Sequence, residues 1–178
     1  FNQPLTFDTS AVTDMSGMFS NCTSFNQSLS FNTSAVTNMN SMFLGCSSFN
    51  QSLSFDTSAV TTMDSMFNNC TVFNQPLSFD TSAVEYMVQM FTDATAFNQN
   101  IGTWNVANVQ DFSKFMFGKT PATFSTTNLN AIYNGWSTQA VQSSLSIDFG
   151  TAKYTAAATA GRLVLTGTAL WTITDGGL

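Results

Sequence analysis

The sequence predicts an α/β solenoid of about five 24-residue coils, each a short strand, a turn and a short helical segment. A parallel sheet would run along one side, and a small α/β region would cap the C-terminal end. Three observations carry this. A block of 24 residues recurs almost unchanged as Phe1–Ser24, Phe25–Ser48, Phe49–Val72 and Phe73–Ala96, and a fifth copy begins at Phe97. Within each block the apolar spacing switches from strand-like to helix-like. After residue 120 the repeat stops and a different pattern begins. Repetition at a period of about 20–50 residues is the mark of a stacked architecture, in which every position of the unit becomes a column along the stack.

The unit Phe25–Ser48 shows how one coil is built. Leu29 and Phe31 alternate with Ser28, Ser30 and Asn32, which is strand spacing. The triplet Asn32-Thr33-Ser34, or Asp-Thr-Ser in other copies, is turn chemistry. Met39, Met42, Phe43 and Cys46 then fall at i, i+3, i+4 and i+7, one face of a short helix. Asn38, Asp14 and Thr62 stand where they can cap that helix, whereas Tyr86 cannot. The apolar columns, among them Phe1/25/49/73/97, Leu5/29/53/77 with Ile101, and Phe19/43/67/91, would stack like on like as the core. The fifth copy carries one extra residue around Gly102–Thr103–Trp104, since Leu77 to Val84 is seven steps and Ile101 to Val109 is eight. Lys114, Gly118, Lys119 and Pro121 then end the pattern, as atypical terminal repeats do.

This divides the chain into a repeat region, 1–120, and a capping region, 121–178. In the second, Leu129, Ile132, Tyr133 and Trp136 sit at helical spacing behind a Ser125 or Thr126 cap, with Gly135 and Ser137 ending the helix. Leu145, Ile147 and Phe149 read as a strand, Thr155–Leu165 as a second helix, and Trp171 and Ile173 as a final strand. Strand, helix, strand makes a parallel crossover that can add to the last coil and cover the open end.

Several polar columns are candidates for a role. Asn2, Asn26, Asn50, Asn74 and Asn98 form an amide ladder, with Gln3, Gln27, Gln51, Gln75 and Gln99 beside it. The Asn row is expected to fix a buried corner by bonding its own coil and the next; the Gln row has an alternative reading as a sugar-binding strip. Cys22, Cys46 and Cys70 share one repeat position, with Ala94 following. Side chains in a column point the same way, and the count is odd, so buried free thiols are expected rather than disulfides or a metal site. Asp8, Asn32, Asp56 and Asp80 line the turn. They either cap it locally or form a calcium ladder, broken at Asn32. Two threonine rows, Thr9/33/57/81 and Thr13/37/61, the latter lost at Glu85, are what an ice-binding face would display.

Composition narrows the function classes. Only 8% of residues are charged, so Ser, Thr, Asn and Gln must supply most of the surface. Residues 1–96 hold seven carboxylates and no base, which argues against nucleic acid and anionic lipid as partners. There is no histidine, which removes the common triads and the commonest general base. No phosphate-cradling glycine motif occurs, and no cofactor or metal site is expected. No apolar run approaches the about 20 residues of a membrane span. The chain starts on a repeat boundary without Met and reads as part of something longer.

The unit FNQSLSFDTSAVTTMDSMFNNC, residues 49–70, resembles the bacterial surface-protein repeat of the BspA-like, leucine-rich-repeat type. The resemblance covers residues 1 to about 117. The ending from LNAIYNGWSTQAVQ to WTITDGG is similar to the C-terminal segment that often follows such repeats. It implies an extracellular or cell-surface protein without catalytic residues, acting in structural display or adhesion toward a protein or glycan. A regular, uncovered first coil adds the expectation of further repeats before Phe1 or of end-to-end association into a filament.

Overall fold

The computed structural model describes residues 1–178. Equivalent positions of consecutive units lie side by side. Parallel bridges join Asp14 to Asn38, Asn38 to Thr62, Thr62 to Tyr86 and Tyr86 to Asp111, and a last one joins Phe112 to Ile147. The step lengthens by one residue between Tyr86 and Asp111, where the fifth copy carries its insertion.

The segment expected to be helical is a run of turns. In the second unit the amides of Met39, Ser41, Phe43 and Gly45 donate outward to the carbonyls of Thr62, Asp64, Met66 and Asn68, at 2.7–3.0 Å. The alternate amides of Met42, Leu44 and Cys46 donate back three residues, to Met39, Ser41 and Phe43. An α-helix would spend these donors four residues back within its own coil and leave none for the neighbour. Left-handed residues make the alternation possible. Ser41 and Gly45 have φ of +55° and +69°, and the pattern recurs at Gly17/Asn21, Ser65/Asn69, Gln89/Asp93 and Lys114/Gly118. The apolar i, i+3, i+4, i+7 spacing therefore comes from successive turns that return Met, Met, Phe and Cys to the same side. Asn38 and Asp14 do not cap a helix; each accepts from the amide two residues on, at 3.0 and 2.7 Å.

The segment expected to be a strand also differs. Leu29, Phe31 and Thr33 are buried and Ser28, Ser30 and Asn32 exposed, as alternation demands, but no backbone ladder joins this stretch to its neighbours. Side chains hold the coils together on this side instead: the Asn carboxamide at its start and the Thr33 hydroxyl at its end.

Between the two sides lies a core of stacked rings. Phe25, Phe49, Phe73 and Phe97 follow one another at 5.8–6.1 Å, and Phe19, Phe43, Phe67 and Phe91 at 5.5–5.6 Å, their planes nearly parallel throughout. The columns interlock, Phe43 lying 4.3 Å from Phe49. Burying each ring fully is worth roughly 1.5–3 kcal/mol relative to exposure. The stacking breaks at Phe115, which meets Phe91 edge-on, and Phe112 stacks instead on Trp136 of the C-terminal region. One continuous core thus runs from Met15 to Trp171.

The C-terminal region begins with α1, Thr126–Trp136, capped by the Ser125 side chain accepting from the Asn128 amide. Leu129, Ile132, Tyr133 and Trp136 are its buried face. Gly135 lies inside the helix rather than at its end: a Cβ there would strike the backbone of Gly102, so the two glycines let α1 rest directly on the inserted loop. Strand β1, Ser146–Asp148, pairs in parallel with β2, Thr172–Thr174. Between them the expected helix is α2, Thr159–Leu163, entered by a tight 3-10 turn at Ala156–Ala158 and left by a wide π turn at Val164–Thr168. No helix is long and apolar enough to cross a membrane.

Candidate functional site

Most of the repeated polar side chains are engaged in the coils themselves. The Oδ1 of each ladder asparagine accepts from the backbone amide of the next: Asn26 onto Asn2, Asn50 onto Asn26, Asn74 onto Asn50 and Asn98 onto Asn74, all at 2.9 Å. The glutamine after it adds a second bond to the same oxygen, from Gln27, Gln51, Gln75 and Gln99. At the ladder's end the amide of Ser125 and the Nδ2 of Asn128 occupy these two places on Asn98. The C-terminal region thus continues the ladder's chemistry with a helix cap. The corner is not buried as expected: Asn2 and Asn74 are exposed and Asn26, Asn50 and Asn98 half-buried, because the coil turns outward here. The Gln row is spent on the same bonds, which leaves it a poor sugar strip.

Cys22, Cys46 and Cys70 are free, and the Sγ of Cys46 and Cys70 donate to the carbonyls of Phe19 and Phe43 at 2.9 Å. Burial pushes the Cys46 thiol up to about 12 and the Cys70 thiol higher still. Cys22 is only half-buried. The fifth member of this column is Lys119, a residue the sequence places outside the pattern. It is 2% exposed and donates through Nζ to the carbonyls of Ala94 and Phe97, the second at 2.6 Å. Its ammonium also lies about 6 Å from the rings of Phe97 and Phe124. Burial lowers its pKa to about 7.

Asp8, Asp56 and Asp80, with Asn32, accept from the amide of the serine two residues on, the local turn bond. Those serine bonds hold the three carboxyls below the usual range. The row Thr9/33/57/81 is not a surface. These residues are 1–4% exposed, and their hydroxyls donate to the carbonyls of Asn32, Asp56, Asp80 and Asn105 in the next coil. Only Thr13, Thr37 and Thr61 face outward.

A different cluster pins the chain's last residues. Asp175 accepts from the Tyr133 hydroxyl at 2.6 Å and from Arg162 Nε at 2.7 Å. Burial, helped by the Asp175 carboxylate, drives the Tyr133 phenol upward, so it stays a donor. This ties α1, α2 and β2 together.

The larger of two concavities lies where the exposed Thr13/37/61 column runs into the C-terminal region. It is an open groove of about 490 Å³, lined by Glu85, Asn108, Gln110, Gln142, Ser143 and Leu145. The column continues as Glu85 and Gln110, linked by a Gln110-to-Glu85 backbone bond of 2.8 Å. The side chains are braced. The Tyr86 hydroxyl donates to Gln110 Oε1 at 3.4 Å, and Gln110 Nε2 donates to Glu85 Oε2 at 3.0 Å. Asn108 Nδ2 is held by the Ser82 carbonyl and Gln142 Nε2 by the Ala107 carbonyl. The sequence carries a signal for this place. Glu85 and Tyr86 are adjacent breaks in two columns, and the inserted residue of the fifth copy follows. The convergence of Gln142 and Leu145 from the C-terminal region leaves no such trace.

No curated protein and no solved structure matches the chain. One family does, across residues 1–79 and again across 53–159, with the repeats and much of the C-terminal region included. The chain belongs to that family, described as Mycoplasma protein of unknown function, DUF285.

Proposed function

We propose that the chain is a non-enzymatic, extracellular repeat protein of the BspA-like, leucine-rich-repeat-like kind, a solenoid of about five coils closed by residues 121–178, that serves surface display or adhesion. The observation that carries the reading is the use made of the repeated polar residues. Asn, Gln, Asp, the buried Thr and the buried Cys bond their own turn or the neighbouring coil, so the repeat's chemistry is spent on architecture. Exposed surface is left to carry recognition, as is usual for stacked repeats. The same bonds weigh against the calcium ladder, whose carboxylates already satisfy turn amides. They also reduce ice binding to the short Thr13/37/61 row.

The test is protease shaving of intact cells that express the parent protein, joined to adhesion of purified 1–178 to immobilised matrix proteins and glycans. Release of repeat peptides from the cell exterior and saturable adhesion are expected. Peptides protected until lysis would overturn the surface assignment, and absence of adhesion would overturn the adhesive role. Thermal hysteresis in the purified protein would move ice binding ahead.

A further inference from the structure

The bracing of the groove fixes which of its atoms face a ligand. Asn108 and Gln142 each spend an amide nitrogen on a backbone carbonyl, and Gln110 spends its nitrogen on Glu85. Glu85 accepts only through Oε2. What remains free is a mixed set: the acceptors Glu85 Oε1, Asn108 Oδ1 and Gln142 Oε1, the second N–H of each braced amide, and the Ser143 hydroxyl. A ligand matching them must be rich in groups that both donate and accept, as hydroxyls do, and must not be anionic, because Glu85 is the only charge in the lining. The groove's size falls within the roughly 300–1,000 Å³ of small-molecule sites and exceeds what an ion needs. Leu145 in the lining and Tyr86 beside it, 39% exposed, supply apolar surface against which C–H groups can rest. Hydroxyls that donate on one edge and a C–H face on the other describe a sugar ring.

We propose that the groove is a binding site for a neutral saccharide, with Glu85, Asn108 and Gln142 accepting from its hydroxyls and Tyr86 and Leu145 meeting its apolar face. The inference deepens the adhesion reading and rests on it for its biological use. The repeat supports it independently of shape. The third coil has Thr61-Thr62 where the fourth has Glu85-Tyr86, so the two departures are unnecessary for stacking and converge on the larger concavity.

The experiment uses the 1–178 chain and saturation-transfer NMR with millimolar maltotriose, lactose and the N-acetylglucosamine trimer. Glucose 6-phosphate and calcium chloride are the anionic and metal probes. At least one neutral sugar is expected to bind, at least tenfold more tightly than the sugar phosphate. E85T/Y86T, which restores the third coil's residues, is expected to lose tenfold or more in affinity while melting within a few degrees of the parent. Gln142→Ala, in the C-terminal region, provides a second loss should the double variant fold poorly. No binding by any neutral sugar, unchanged affinity in both variants, or a response to calcium alone would overturn the site. Adhesion by a chain that binds none of the neutral sugars would reject the groove and keep the adhesion reading. Sugar binding without any cellular or matrix adhesion would do the reverse.

Discussion

At the residue scale the molecule depends on side chains that replace backbone pairing. Asn50 is representative: its Oδ1 takes the amide of Asn74 and the Nε2 of Gln75. Asn50→Ala leaves both donors to water, and because the corner is half-exposed the expected loss is about 1 kcal/mol. Ser52→Ala and Ser54→Ala, at exposed positions without a bond, are expected to change little; equal melting temperatures for all three would remove the ladder's role. The thiols separate in the same way. In folded, purified 1–178, Cys22 is expected to react with a thiol reagent, and Cys46 and Cys70 only on unfolding, read by mass spectrometry. Lys119 gives a pH signature. Its native pKa of about 7 lies below the roughly 10.4 of an unfolded lysine, so between those values the unfolded chain holds a proton the native chain lacks. Stability therefore rises with pH through this window, by at most about 1.4 kcal/mol per unit, and the contribution is lost as pH falls toward 7. The two carbonyls that accept from Nζ favour the ammonium and moderate the slope. The raised thiols oppose it once unfolded cysteine ionises, above about pH 8.5. Urea melts from pH 7 to 8.5 are expected to show the rise in the parent and not in Lys119→Met. The Asn ladder was legible in the sequence because it repeats. The lysine was not, because a single charge at a worn repeat reads as an ending.

At the element scale the main departure from the sequence reading is the run of turns in place of a helix. The apolar spacing is compatible with both, and period alone does not separate them. The column Asn21, Gly45, Asn69, Asp93, Gly118 does, since it holds only the residue types that tolerate positive φ. Ser65, with φ of +54°, provides the test. In a helix, Ser65→Gly would be destabilising. At a left-handed position it relieves strain and is expected to stabilise by roughly 0.5–1 kcal/mol, whereas Ser65→Val is expected to destabilise by more than that. The sign of the Ser65→Gly change in a denaturant melt decides between the two. The C-terminal elements were more legible: α1, β1 and β2 follow ordinary periodicity, and the Ser125 cap sits at one of the two positions expected. The internal Gly135 was misread as a terminator because its reason is a partner, Gly102, thirty-three residues away.

At the scale of the whole molecule, each coil meets its neighbours through the same bonds, so a stack of this kind is expected to tolerate loss of a complete unit. Deleting Phe49–Val72 places Asn26 against Asn74 and Phe43 against Phe91 in the register that adjacent coils already use. A cooperative melt with a smaller unfolding enthalpy is expected for that deletion, and collapse of the fold for deletion of residues 49–60, which joins unlike halves. Equal behaviour of the two deletions would refute the stacked-unit reading. The interfaces also carry an arrow. Along the run of turns the amides of one coil donate to the carbonyls of the coil after it, as from Met15 to Asn38 and from Phe19 to Met42, while just before it the amides of Thr37, Thr61, Glu85 and Gln110 donate back to the coil before. On the asparagine side the amide belongs to the later coil and the acceptor to the earlier one. Within residues 1–178 the carbonyls of Asp14, Ser16, Met18 and Ser20 accordingly have no donor along one edge. Two copies with these edges set against each other would oppose acceptors to acceptors. A neighbour that repeats the pairing seen between the coils approaches facing the same way, and association of that kind preserves direction and leaves two chemically distinct ends.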